Sequence, residues 1–273
     1  MLIIGERINA TRKRINEAVL KGDADLIREE ARKQTAAGAH MLDVNGGVAG
    51  REVEILSWLV GIVQEAADVP LCLDSADPAA LAAALPLCRR PAMINSITNE
   101  PARFDAVLPL VVKHKAKVIA LCMSPDSPPT GVEDRVATAK SLVDRLRAAG
   151  VPDEHIYVDP CVFPISTNHA YGPAVLEAVT QIRGLFPGTH MSCGVSNVSF
   201  GLPVRKLLNE AFLIMLLGRG LDTAIIDPCD EGVMARILAA EALRGRDEYC
   251  QEYLQAYRAG KLPAAPPAPA RQP

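Results

Sequence analysis

No stretch of this chain is apolar for long enough to cross a bilayer. Runs such as residues 211–217 fall far short of the roughly 20 consecutive apolar residues that a membrane helix needs. Aromatic residues make up only 4% of the chain and the formal net charge is −3. There is neither a positive field to neutralise a phosphate backbone nor many flat rings on which bases could stack, so nucleic acid is not an expected partner. The seven cysteines stand singly, with no CxxC pair and an odd count. They argue against a disulfide framework and for a reducing compartment. Residues 1–7 read MLIIGER, without a basic leader or a small-residue cleavage site, and are expected to open a strand rather than a secretion signal. A cytoplasmic location is the expectation.

Metal-binding spacing is missing too. There is no HxH, HxxxH or HExxH, and His155, His169 and His190 are dispersed. Cys122, Cys161, Cys193 and Cys229 fall near the ends of apolar runs but never as a pair at ligand spacing, so they read as small buried hydrophobes. No metal site is expected.

What the chain does have is a balanced globular composition, 49% hydrophobic and 22% charged, over 273 residues. That length is close to the ~250 residues of one (β/α)₈ barrel. Eight short apolar runs recur, at residues 2–5, 40–45, 70–74, 92–95, 117–122, 155–159, 190–194 and 223–227. Each is followed by a longer segment with helical spacing, at 25–37, 53–67, 77–87, 103–114, 133–149, 174–186, 204–219 and 232–244. Near-continuous apolar strands alternating with amphipathic helices imply a parallel sheet covered by right-handed crossovers, and eight such units close a barrel. Thr130 and Glu133 have the spacing of a capping box at one helix start. An open doubly wound sheet shares the alternation, but it wants a glycine-rich phosphate loop after its first strand. Here that place holds Gly5-Glu6-Arg7-Ile8-Asn9, with no GxGxxG. The expected organisation is an α/β TIM barrel over 1–262 and a Pro/Ala-rich disordered tail over 263–273.

In such a barrel the active site lies where the strands end. The run ends are uniformly polar: Glu6 and Asn9, Asp43 and Asn45, Asp74 and Ser75, Asn95 and Ser96, Asp159, Ser196 and Asn197, and Asp227. Asp and Asn also end strands simply because they make turns. Seven strand ends together describe a cup of acceptors with amide donors interleaved, suited to a flat neutral heterocycle rich in N–H groups.

The blocks Gly5-Glu6-Arg7-Ile8-Asn9, Leu42-Asp43-Val44-Asn45, Leu73-Asp74-Ser75, Ile94-Asn95-Ser96, Val158-Asp159-Pro160 and Gly194-Val195-Ser196-Asn197-Val198-Ser199 resemble the methyltetrahydrofolate:corrinoid methyltransferases. The folate module of cobalamin-dependent methionine synthase is similar. The resemblance runs from residue 1 to about 257 and implies a dihydropteroate-synthase-like barrel, usually a homodimer. It implies that Asp74, Asn95 and Asp159 bind the pterin ring, and that Asn197 approaches nitrogen-5, which carries the methyl group. A carboxylate can accept from the pterin amino group and the adjacent ring N–H, and an Asn can pair with a donor and an acceptor together. Asp43 and Ser196 are candidates to shape the proton network around nitrogen-5, Glu6 and Asn9 line the first strand end, and Arg205 matches a position near the folate tail. Phe200 stands where a relative has a polar side chain, so tail contacts are expected to differ.

The substrate implied is 5-methyltetrahydrofolate or tetrahydrofolate, with the corrinoid, a cobalamin, supplied by a partner protein. The chain itself lacks the DxHxxG cobalamin signature, since Asp153-Glu154-His155 continues Ile156-Tyr157-Val158. Two rivals are dihydropteroate synthase, which calls for a basic residue near strand seven or eight to hold pyrophosphate, and a non-catalytic pterin-binding module. Finally, residues 211–217 are apolar through nearly two helical turns on every side, which predicts that the helix 204–219 is covered by a second copy in a homodimer.

Overall fold

A computed structural model describes residues 1–123 and 129–262, so the expected tail at 263–273 lies outside the described residues. In chain order the elements are β1 (Leu2–Asn9), α1 (Lys13–Lys21), α2 (Ala24–Ala36), β2 (Met41–Asn45), α3 (Glu52–Ala66), β3 (Leu71–Asp74), α4 (Pro78–Ala84), β4 (Met93–Ile97), α5 (Pro101–His114) and β5 (Lys117–Leu121). They continue as α6 (Val132–Ala148), β6 (Ile156–Asp159), α7 (Tyr171–Leu185), β7 (His190–Met191), α8 (Arg205–Gly218), β8 (Thr223–Ile226), α9 (Glu231–Leu243) and α10 (Gln251–Arg258). The strands form one parallel sheet in the order β7-β6-β5-β4-β3-β2-β1-β8. A single bridge, Gly194 to Ile225, closes β7 onto β8, so the sheet is a TIM barrel.

The strands look continuously apolar because both faces are buried, yet the two faces differ. Alternate residues point inward. Ile4, Met41, Cys72, Met93, Ile119 and Tyr157 form one packed layer inside the barrel, with Ile225 against it. The residues between them, such as Leu42, Val44, Leu71, Leu73 and Val118, belong to the larger cluster under the helices. Two residues beyond the inner layer, the same inward direction reaches Glu6, Asp43, Asp74, Asn95, Asp159 and Asp227. The barrel is plugged by apolar side chains and opens into a polar cup directly above them.

Some elements depart from the sequence reading. β7 is only two residues long, and Val195–Ser199 form a 3-10 turn rather than a strand end. Residues 77–87 split into α4 and a 3-10 turn at Leu85–Leu87, where Pro86 cannot continue the backbone ladder. The capping box is displaced by one residue. Asp134, not Glu133, reaches back to the amides of Thr130 and Gly131 and accepts from the Thr130 hydroxyl. α1 and α10 were not expected. α1 is short and polar on average, but Ile15, Ala18 and Val19 recur at i, i+3 and i+4 on its buried face, a periodic signal that the sequence reading passed over.

β1 carries an irregularity between Gly5 and Ile8. The amide that it frees, Arg7 N, donates to Gln34 Oε1 on α2 at 3.0 Å. A side chain at Gly5 would place its Cβ 2.4 Å from that same oxygen, which is why the position needs glycine.

Candidate active site

The cup at the strand ends is held together by side chains that arrive in register. Asp74 lies opposite Asn45 on β2 and opposite Asn95 on β4. Asn45 Nδ2 donates to Asp74 Oδ2 at 2.8 Å, and Asn95 Nδ2 donates to Asp43 Oδ1 at 3.2 Å. Both carboxamides therefore spend a donor on a carboxylate, leaving the Asn95 oxygen as an acceptor toward the mouth.

These carboxyls do not titrate alike. Burial, and then the adjacent Asp74 charge, hold Asp43 well above the usual carboxylate range. Asp74 is also raised by burial, but the Asn45 amide and the Arg103 charge draw it back. Of the pair, Asp43 is held the higher, because it is the more deeply buried and Arg103 acts on Asp74, so Asp43 takes up a proton before Asp74 does. Burial likewise raises Glu6, opposed by Arg12, whose guanidinium donates to Glu6 Oε1 at 2.7 Å.

Asp159 sits at the end of β6, buried. Its Oδ1 accepts from the Cys161 amide at 2.8 Å. Burial pushes its carboxyl up to about 6, against the amides of Cys161 and Gly194 and the charge of Arg135. Asp159 and Asn197 line one cavity of about 370 Å³, together with Leu121, Met123, Cys161 and Phe200. Among the described residues the Asn197 carboxamide makes no hydrogen bond, so it is free for a ligand, and the 3-10 turn presents it to solvent. A second cavity of about 320 Å³ lies alongside, lined by Glu6, Arg12, Ser196, Arg205, Lys206, Asp227 and Asp230 among others.

Thus the fold joins Asp43, Asp74 and Asn95 by hydrogen bonds and register, places Asp159 with Asn197, and places Glu6, Ser196 and Arg205 in the neighbouring cavity. Asn9 stands apart from both cavities. Its carboxamide oxygen accepts from the amide and hydroxyl of Thr11, the local turn that this residue type favours. Arg205 donates to Ser196 O at 2.7 Å and to Ser199 Oγ at 3.0 Å, which ties α8 to the turn that carries Asn197.

Sequence reasoning missed Asn45 as a partner of Asp74, and it missed Arg103. That side chain, in the first turn of α5, donates to Ser75 O, Ala76 O and Ser96 O, and so ties the loop that follows β3 to the end of β4. A signal existed. A cation in the first turn of a helix opposes the macrodipole, so its presence there asks for another reason.

Among the described residues no group of three or more His, Cys, Asp or Glu side chains is placed to hold a metal ion. No helix among them is long and apolar enough to cross a membrane.

Comparison with known proteins places this geometry. A methylcorrinoid:tetrahydrofolate methyltransferase of Eubacterium limosum is 38% identical over 266 residues, covering 96% of this chain and 98% of that one. Methionine synthase of Mycobacterium tuberculosis is 31% identical over 240 residues, which are 83% of this chain but only 20% of that protein. Among solved structures, dihydropteroate synthase of Yersinia pestis superposes with a TM-score of 0.67 at 20% identity, covering 89% of this chain and 93% of that one. The Xanthomonas albilineans dihydropteroate synthase in complex with 7,8-dihydropteroate gives 0.68 at 18% identity, covering 90% and 93%. At that identity these two speak for the barrel alone. The family profile described as pterin binding enzyme matches residues 5–227, the span from the glycine of β1 to the aspartate that follows β8. With the family profile across its whole barrel and a relative matched from end to end, the chain belongs to the pterin-binding enzymes.

Proposed function

We propose that this enzyme moves a methyl group between nitrogen-5 of 5-methyltetrahydrofolate and the cobalt of a separate corrinoid protein, with the pterin held at the C-terminal mouth of the barrel. The observation that carries the reading is the polar layer Asp74, Asn95 and Asp159 directly above an apolar plug, with the uncommitted carboxamide of Asn197 beside it. A pterin edge offers amino and ring N–H donors next to carbonyl and ring-nitrogen acceptors. Asp74 and Asp159 supply acceptors and Asn95 adds another, so the residues present fit the ring. The near full-length likeness to a methylcorrinoid:tetrahydrofolate methyltransferase supports the choice of reaction.

In the direction away from folate, the methyl–nitrogen bond breaks with its electron pair left on nitrogen-5, which then takes a proton. A tertiary amine is a poor leaving group unless that charge is met. In this reading Asn197 would hydrogen-bond the nitrogen more strongly as it gains the proton, which favours the transition state over the ground state. An amide is not a strong acid. The proton must come from solvent, with Asp43 and Ser196 as the candidates to shape its path. In the reverse direction the same groups receive it. The corrinoid, brought by its partner protein, supplies the cobalt that takes or gives the methyl.

The dihydropteroate synthase reading fits less well. Cations do stand beside the site, but each is committed: Arg12 to Glu6, Arg205 to Ser196 and Ser199, and Lys206 to Asp230 at 2.7 Å. Glu6, Asp227 and Asp230 line the same cavity and would repel a pyrophosphate. Titration calorimetry tests the choice. 5-methyltetrahydrofolate should bind, and a pterin pyrophosphate should gain nothing from its phosphates. A pyrophosphate-dependent gain in affinity would favour the synthase.

Binding should also report Asp159. As pH falls through about 6 the carboxylate takes up a proton and loses an acceptor, so folate affinity should weaken there. The folded protein holds this proton more tightly than the unfolded chain does. The ligand-free protein therefore gains stability as pH falls through about 6 toward the ordinary carboxylate value, opposite in sign to the binding. Calorimetry between about pH 5 and 8 checks it against Asp159→Asn. An identical pH profile in that variant would remove Asp159 from the binding edge.

We also propose a homodimer through α8. Its buried face is Phe212, Leu213, Leu216 and Leu217, while Ile214 is 43% and Met215 54% exposed on the outward side, in line with exposed Leu207. Light scattering should give twice the chain mass, and Ile214→Glu should split the dimer. A monomeric wild type at micromolar concentration would show that this face needs no cover.

A further inference from the structure

Arg135 is the largest side chain wholly withdrawn from solvent among the described residues, at 0% exposure. Arginine is rarely buried without a specific reason, because its charge must be satisfied away from water. It lies in the first turn of α6, where the macrodipole disfavours a cation. Its described hydrogen bonds all go to backbone carbonyls. Nε donates to Pro160 O at 2.9 Å, Nη2 to Cys161 O at 3.2 Å and Nη1 to Gly131 O at 2.7 Å. Two of these three belong to the residues that directly follow Asp159.

That segment needs holding. Pro160 has no amide to donate, and Cys161 adopts φ of 64°, a left-handed conformation that costs a side-chain-bearing residue of order 1 kcal/mol or more. The same conformation aims the Cys161 amide at Asp159 Oδ1. The fork of the guanidinium spans both carbonyls at once, which a lysine ammonium cannot reproduce.

We infer that Arg135 is a positioning residue for pterin binding: it clamps the Pro160–Cys161 backbone so that the Cys161 amide fixes Asp159 toward the mouth, and it places a buried positive charge behind that carboxylate. This rests on the reading of Asp159 as a pterin ligand. Two effects follow. The clamp sets affinity, and the charge favours the ionised carboxylate, consistent with the downward pull of Arg135 on Asp159. Among the described residues Arg135 makes no hydrogen bond of its own to the turn that carries Asn197, so the bound complex should react at nearly the normal rate.

The test compares Arg135→Lys, Arg135→Gln and Asp159→Asn in the full chain, by calorimetry with 5-methyltetrahydrofolate across pH and by steady-state transfer to free cobalamin. Arg135→Lys keeps the charge but loses the fork. It should bind about 10-fold more weakly, with the pH midpoint of binding unchanged, the rise falling on KM and kcat held. Arg135→Gln also loses the charge. Its affinity should fall about 10- to 100-fold and its pH midpoint should move upward, a displacement that a merely structural role would not cause. Wild-type affinity and pH profile in both Arg135 variants, with Asp159→Asn impaired, would overturn the inference and leave the pocket intact. An unimpaired Asp159→Asn would instead overturn the pocket reading. If circular dichroism shows Arg135→Lys unfolded, Arg135 supports the barrel as a whole and the inference is wrong.

Discussion

Asn197→Ala is expected to slow methyl transfer by about 100-fold or more at saturating folate while folate affinity changes little. The 3-10 turn Val195–Ser199 replaces the end of β7 and puts Asn197 on the rim of the cavity that Asp159 closes from below. Arg205 pins the turn from outside through Ser196 O and Ser199 Oγ. The carboxamide itself makes no hydrogen bond among the described residues. A group left free by the protein, beside a ligand site, on a braced turn, contributes most when charge develops on the ligand. Stopped-flow loss of cobalt(I) absorbance measures the step. An unchanged rate would move the catalytic role to another group.

Asp74→Ala should give the largest loss of folate affinity, about 1–3 kcal/mol, with Asn95→Ala and Asp159→Ala each in the same range. At Asp74 the change leaves the Asn45 amide without its 2.8 Å acceptor and leaves pterin N–H groups unpaired, so two polar groups lose their partner at once. At Asn95 the change strips Asp43 of the donor at its Oδ1. Calorimetry showing near-wild-type affinity for all three variants would remove the pterin from this layer.

The barrel was legible because its strands are short, near-continuously apolar and regularly spaced, and because all but the fifth lead into a polar residue. Chemistry and topology coincide at those ends: the inward side of a strand carries Met41 in the plug and Asp43 in the cup, two residues apart. Less was legible where a contact depends on distant backbone. Arg103 and Arg135 bind carbonyls of loops that precede or follow them, and carbonyls leave no mark in a sequence. The sequence reading ran the seventh strand over 190–194, whereas β7 proper is His190–Met191 and the barrel closes beyond it through one bridge at Gly194 before the chain turns away. Asn9, read as a cup residue, is the last residue of β1, and its carboxamide oxygen accepts from the Thr11 amide and hydroxyl, a local contact that sequence alone does not show.

The central claim is tested most directly by mixing the purified protein with 5-methyltetrahydrofolate and free cobalamin reduced to cobalt(I), and following the spectrum of the cobalamin. The account predicts enzyme-dependent conversion to methylcobalamin with stoichiometric tetrahydrofolate, lost in Asn197→Ala and reversed when methylcobalamin and tetrahydrofolate are supplied. Tight folate binding without any enzyme-dependent transfer, to free cobalamin or to a corrinoid protein, would contradict it and leave a pterin-binding barrel that moves no methyl group.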